Sequence, residues 1–254
     1  MGADCVSGCN REGEPMVMTR SETSTPLLYA RIAGWLYLMN IACGIFGQIF
    51  VRGHLVVPGD AAATAHNILG HELMYRSGIV GDLIMHITDL PSDVLMYVLL
   101  RPVNKDLSLL AMVFGLMQTA ILAANKLSLV TVLLLLGGVR GFTAEQTAGL
   151  ASVSLAQHEI GFAVGLIFFG VSCLVTAYLL WRSGYFPRAL AVFQAVAGVS
   201  YLVNSFTLLM APDVAATMFP WVVLPAFVGE LLTCLYLIVR GMNVRVWNER
   251  VMAG

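Results

Sequence analysis

Four ionisable residues, Asp82, His86, Asp89 and Asp93, are spaced 4, 3 and 4 within an otherwise apolar stretch. At about 100° per residue they share a helical sector of roughly 60°. Such groups carry protons, bind cations or ligate metals. Inside a membrane span they are expensive, and they generally face a bundle interior or a water cavity. Pro91 stands among them and cannot bond the carbonyl of Ile87, which then needs another donor. Further polar candidates in apolar surroundings are Gln118, Asn125, Lys126, His158, Glu159 and Glu230.

The charges in this set do not balance. Asp82, Asp89, Asp93, Glu159 and Glu230 are acidic, whereas only Lys126 is permanently basic, and His86 and His158 titrate. Five carboxylates cannot all stay ionised in low dielectric, so protons, Na⁺ or a divalent metal must compensate. Three kinds of role remain open. The carboxylates and amides could hold helices together in a non-enzymatic membrane protein. They could form the path of a proton- or cation-coupled transporter or channel. His86 with Asp82 and Asp89, completed by His158 and Glu159, could also hold the metal of an intramembrane hydrolase. The chain has no His-Glu-x-x-His motif, no Gly-x-Ser-x-Gly elbow and no phosphate loop, and no recognised motif requires a cofactor. His66 and His71 do not share a helical face, and with His54 they read as solvated interfacial groups.

The elements that position these residues are membrane helices. The chain is 58% hydrophobic and 11% charged, with a mean hydropathy of +0.81. Soluble domains carry about 25% charged residues. Six stretches have the roughly 20 apolar residues that a bilayer core demands, at about 26–51, 77–100, 107–136, 155–181, 188–210 and 218–240. The third is long enough that it must tilt, break or project. Arg11, Arg20, Arg31, Arg101, Lys105, Arg182, Arg188, Arg240, Arg245 and Arg250 fall on one side, and only Arg52, Arg76 and Arg140 on the other. This bias predicts both termini in the cytoplasm. The expected fold is an all-α bundle of six transmembrane helices in a bacterial cytoplasmic membrane. Its lipid bilayer is the one evident partner, protons or a monovalent or divalent cation are candidate ligands, and no basic stretch suggests nucleic acid.

Residues 1–25 read as a disordered cytoplasmic tail without the apolar core of a signal peptide, and Met16 or Met18 could be the start. Cys5 and Cys9 lie there, while Cys43, Cys173 and Cys234 read as small hydrophobes. Asp60 is the expected N-cap of a short outer helix at about 61–75, and residues 241–254 form a second tail. Trp181 and Tyr185 read as interfacial anchors, and Gly161 with Gly165 as a small-residue face for packing within the chain. Gly34–Asn40 resembles Gly198–Asn204, Pro58–Thr64 resembles Ala211–Thr217, and Gly81-Asp82-Leu83 resembles Gly229-Glu230-Leu231. The pattern fits a parallel repeat of the hairpins formed by helices one–two and five–six.

Counted from the cytoplasmic ends, Asp82 and Lys126 lie about 18 and 19 residues up, at the level of Asn125, with His158 and Glu159 further out. Asp89, Gln118 and Glu230 lie about 10 or 11 residues up. The matched depth predicts that Lys126 neutralises Asp82, against the alternative that it snorkels outward.

Several segments together resemble a known family: Arg31-Ile32-Ala33-Gly34, Val57-Pro58-Gly59-Asp60, Arg101-Pro102-Val103-Asn104-Lys105, His158-Glu159-Ile160-Gly161-Phe162, Phe186-Pro187-Arg188 and Gly229-Glu230-Leu231. Over roughly residues 26–245 the chain is similar to the bacterial multi-pass membrane proteins of domain of unknown function 4386. Lys126 and the histidines of the first outer loop depart from that pattern. The resemblance implies membrane class and architecture, and no mechanism.

Overall fold

The structure, a computed structural model, describes residues 20–253, and the side chains from 25 onward. Residues 1–19, with Cys5, Cys9, Met16 and Met18, lie outside the described residues. The helices are α1 (Arg20–Ile45), α2 (Gly53–Leu55), α3 (Ala61–Gly70), α4 (Glu72–Leu100), α5 (Lys105–Leu136), α6 (Ala144–Ser183), α7 (Arg188–Met210), α8 (Pro212–Met218), α9 (Leu224–Val239) and α10 (Val244–Ala253). A π-helical segment, Phe46–Arg52, joins α1 to α2. There is no strand among the described residues. Five helical stretches are long and apolar enough to cross a membrane: Thr25–Leu55, Glu72–Leu100, Lys105–Leu136, Ala144–Ser183 and Arg188–Met210. The pair α9 and α10, bent by 91°, makes up to a sixth. The protein is an all-α polytopic membrane bundle.

The long helices form a closed ring. Contacts run from α1 to α4, α5, α6, α7 and α9 in turn, and α9 returns to α1. Each helix turns an apolar face outward, as a bundle in lipid must. On α4 that face is Val80, Leu83, Ile84, Ile87, Leu90 and Val94. Small residues let the ring close tightly. A Cβ on Gly198 would lie 2.8 Å from the carbonyl oxygen of Gly170, so α6 and α7 meet backbone to backbone there. On Gly165 it would lie 2.5 Å from Leu122, which places the Gly161/Gly165 face between α6 and α5 within the chain.

Two apolar clusters close the ends of the ring. At the end carrying Arg101 and Arg182, here called the basic end, Leu99, Leu100, Leu179, Leu180, Tyr185, Phe186 and Leu237 pack together. At the far end Val51, Leu55, Ile68, Tyr75, Leu129, Val132 and Ala151 form a second cluster. The polar residues lie between these plugs.

Several boundaries differ from those read in the sequence. The first helix begins at Arg20, inside the stretch expected as tail. The short outer helix ends at Gly70, because His71 leaves helical geometry (φ −131°, ψ 42°) and residues 72–76 join the spanning helix instead. Asp60 is its N-cap, accepting from the Ala63 amide at 2.8 Å. The fourth long helix starts at Ala144, where Thr143 and Gln146 form a capping box. It runs for 40 residues, about 60 Å at 1.5 Å per residue, and so exceeds a hydrocarbon core of about 30 Å. Its excess turns carry Ala151 into the far-end cluster. The last long helix, by contrast, is only 16 residues.

Two expected surface features are built into the basic end. Tyr185 is 2% exposed and donates its hydroxyl to the Leu99 carbonyl at 2.7 Å, so it is a core tie and no interfacial anchor. The segment expected as a C-terminal tail is α10, and Trp247 on it donates Nε1–H to the same carbonyl at 3.1 Å. The amide of Asn243 also donates to the carbonyl of Tyr185 at 3.0 Å. These bonds satisfy a helix-end carbonyl that has no partner within α4, and they fold α10 back across the end of the bundle.

Candidate functional site

The stripe on α4 faces the ring interior. Asp82 is 1% and His86 3% exposed, while Asp89 and Asp93 are half-buried. Asp82 accepts from two cations. Lys126 Nζ on α5 lies 3.0 Å from Asp82 Oδ2, as the matched depths suggested. Arg52 adds Nη1 at 2.7 Å to Oδ2 and Nη2 at 3.3 Å to Oδ1. In the sequence Arg52 counts only among the charges of the far side. The π-helical segment turns it inward, and Gln48 Oε1 accepts from its Nε at 2.9 Å. π-turns inside helices recur at functional positions. A Cβ on Gly47 would lie 2.3 Å from Asp82 Oδ1, so that position is small because the carboxylate occupies the space.

Beside this clamp, Asn125 Nδ2 donates to the His158 carbonyl at 2.7 Å and lies 3.0 Å from the ring nitrogen Nδ1 of the same residue. Lys126 Nζ also stands 5.8 Å from the centre of the Phe162 ring. Glu159 does not join this group, although it was expected to, and it is exposed. Adjacent helical residues point about 100° apart, so the turn that buries His158 carries Glu159 away from the interior.

One to three turns nearer the basic end lies the deeper group. Asp89 accepts from Asn40 Nδ2 on α1, and Asn40 Oδ1 accepts in turn from the Thr88 hydroxyl. His86 Nδ1 lies 3.5 Å from Asp89 Oδ2 without forming an aligned hydrogen bond. Asp93 Oδ2 is buried without a hydrogen-bond partner, and a Cβ on Gly115 would lie 2.5 Å from it. Asp93 also lines a cavity of about 20 Å³ with Tyr97, Ser108, Ala111 and Ser172, a space for one water molecule. Gln118 and Thr119 are buried one turn above Gly115.

Glu230 on α9 is 8% exposed, and its Oε1 has no aligned hydrogen-bond partner. The phenols of Tyr37 and Tyr201 lie beside it. Tyr37 and Tyr201 were not singled out as site residues. The signal was present, because they occupy equivalent places in the two similar segments Gly34–Asn40 and Gly198–Asn204.

The metal-site reading finds no support in this geometry. No group of three or more His, Cys, Asp or Glu side chains among the described residues is arranged to hold a metal ion. Asp82 is already engaged by two cations, His158 by Asn125, and Glu159 points elsewhere. The three histidines of the first connection, His54, His66 and His71, are all exposed.

A closed ring of apolar helices around a buried acidic core defines an integral membrane protein of the multi-pass α-helical class. The chain belongs to the family described as domain of unknown function (DUF4386), whose model matches residues 32–241. It is also similar to a protein from Archaeoglobus fulgidus described as "Uncharacterized protein", 26% identical over 166 residues, which span 65% of this chain and 85% of that one. No solved structure matches.

Proposed function

We propose that the chain is a non-enzymatic membrane protein whose deep acidic group, Asp89, Asp93 and Glu230, binds and releases a small cation, the proton first among candidates. One observation carries this reading. Among the described residues both permanent cations at the polar core, Arg52 and Lys126, are engaged by Asp82. The deeper carboxylates are left with neutral amides, phenols and His86. Buried carboxylates without a fixed counter-charge need a mobile one. The cavity beside Asp93 is large enough for water but not for a solute, which favours the proton over a larger cargo.

Infrared difference spectra of the purified protein between acid and alkaline pH should contain a carbonyl band from protonated carboxylic acids. Asp93→Asn and Glu230→Gln should each remove part of that band. If the band instead follows addition and withdrawal of Na⁺ or K⁺ at fixed pH, the mobile cation is the alkali ion. A spectrum that neither substitution alters would sink the reading.

A second role is favoured by the clamp itself. Asp82 with its two cations ties the π-helical segment after α1 to α4 and α5, its own charge more than balanced, and it acts as a packing device that fixes their register. The proton-binding group would then lie in a bundle held rigid at its far end.

The basic end is proposed to be cytoplasmic, following the excess of Lys and Arg there, in a cytoplasmic membrane. Reporter fusions after Arg250 and within 101–106 should then report the cytoplasm, and fusions near Asp60, Arg140 and Asp213 the opposite side. A C-terminal reporter on the opposite side would reverse this orientation.

A further inference from the structure

The basic end carries a pocket that the acidic core does not use. It has a volume of about 530 Å³ and is lined by Trp181, Arg182, Gly184, Phe186, Arg188 and Arg250. Three of these six residues are arginines and none is acidic. No described carboxylate lies within ion-pair distance of Arg182, Arg188 or Arg250, whereas nearby Arg245 is paired with Glu249 at 3.0 Å.

The fold converges the guanidiniums. Gly184 adopts a left-handed turn (φ +76°), which reverses the chain between the last turn of α6 and the first of α7. Arg182 and Arg188 are thereby brought to the rim of one pocket, with buried Phe186 behind them. Arg188 stacks 5.2 Å above the ring of Trp181, which orients its planar group. Arg250 Nη2 donates to the Arg182 carbonyl at 2.6 Å and brings α10 in as the third wall. That bond also covers a carbonyl at the negative end of α6. A second feature points the same way. Helix α7 starts at this pocket with Pro187 as N-cap and no side chain bonding its first amides. An uncapped helix N-terminus is a site for anionic oxygen.

We propose that this pocket binds a phosphate group, specifically that of an anionic glycerophospholipid headgroup. Arginine suits the chemistry, because its planar fork matches phosphate oxygens in pairs. The lipid source is favoured by position. The pocket lies at the membrane-exit turns of two spans, exposed Trp181 lines it, and Val251 and Met252, which follow Arg250 on α10, are exposed apolar residues. A headgroup held there keeps its acyl chains along the apolar flanks of α6 and α7. Helix α10 lies at 91° to α9, so it runs along the surface where headgroups lie, as interfacial amphipathic helices do.

The test uses the whole protein in a neutral detergent, titrated with short-chain phosphatidylglycerol, short-chain phosphatidylcholine and inorganic phosphate. Complexes are counted by native mass spectrometry. Wild type should retain one phosphatidylglycerol in preference to phosphatidylcholine. Arg182→Gln combined with Arg188→Gln should weaken that binding by about tenfold or more, from the loss of two surface-membrane charges. Arg245→Gln, on the same side but outside the pocket, should change it by less than about twofold. Both variants should keep the lipid-free melting temperature, since Arg182 and Arg188 are exposed. If the double variant fails to fold, Arg250→Gln is measured in its place and should also weaken binding. Equal retention of the two lipids overturns the proposal, as does an equal loss with Arg245→Gln. Inorganic phosphate that binds as tightly as the lipid and displaces it overturns the lipid assignment in favour of a soluble phosphate.

Discussion

Asp82→Asn should lower stability more than loss of either of its cations. The carboxylate is 1% exposed and holds Lys126 Nζ at 3.0 Å and Arg52 Nη1 at 2.7 Å on the same oxygen. Neutralising it leaves two positive charges side by side in a nearly water-free place. Stranding a buried charge typically costs about 3–5 kcal/mol, and here the two stranded charges also repel. Lys126→Met leaves the two-point Arg52 contact in place, so its cost should be smaller. Arg52→Gln leaves Lys126 and should also be tolerated better. The combination Asp82→Asn with Lys126→Met should recover much of the loss. Arg52, with a side chain 11% exposed, can then turn toward water with Gln48. Unfolding free energies in mixed micelles for the four variants measure this directly. Losses that add to within about 0.5 kcal/mol, or a Lys126→Met loss exceeding that of Asp82→Asn, would show that the three groups do not act as a unit.

Gly198→Ala should destabilise the protein, whereas Gly149→Ala should not. A methyl on Gly198 would lie 2.8 Å from the Gly170 carbonyl and 3.0 Å from Leu174 Cγ, and the first of these is backbone that cannot rotate away. Helices α6 and α7 would have to separate. Overpacking of this kind typically costs about 1–3 kcal/mol. Gly149 is on the exposed face of α6 with nothing within 4 Å of the added carbon. Alanine there only removes backbone freedom from the unfolded chain, a gain of roughly 0.5–1 kcal/mol. Thermal melts of the two variants should therefore move in opposite directions. Equal shifts would mean that the α6–α7 crossing is looser than its geometry.

The stripe on α4 was legible because a helical period needs only the order of residues, and Asp82, His86, Asp89 and Asp93 keep it without interruption. The Lys126–Asp82 pair was legible for a related reason: depth in a bilayer can be counted along each span. Arg52 escaped, because its inward turn depends on a π-helical segment, and no residue in Phe46–Arg52 announces one. Glu159 was misplaced because depth alone was counted, while its direction around α6 decides its exposure. Gly47 and Gly115 gave no signal at all. A glycine that makes room for a carboxylate on another helix is visible only once the two helices are side by side. The early start of α6 could have been read from Thr143 and Gln146, a capping pair that lies outside the apolar stretch used to find the span.

The 40 residues of α6 form one unbroken helix that contains no proline. It contributes Ala151 to the far-end cluster and Leu179 and Leu180 to the one at the basic end, and its last turn supplies Trp181 and Arg182. A stiff rod anchored at both ends transmits tilt and rotation as a lever does. The two plugs of the bundle therefore share one continuous element, and it is not the helix that carries the acidic stripe.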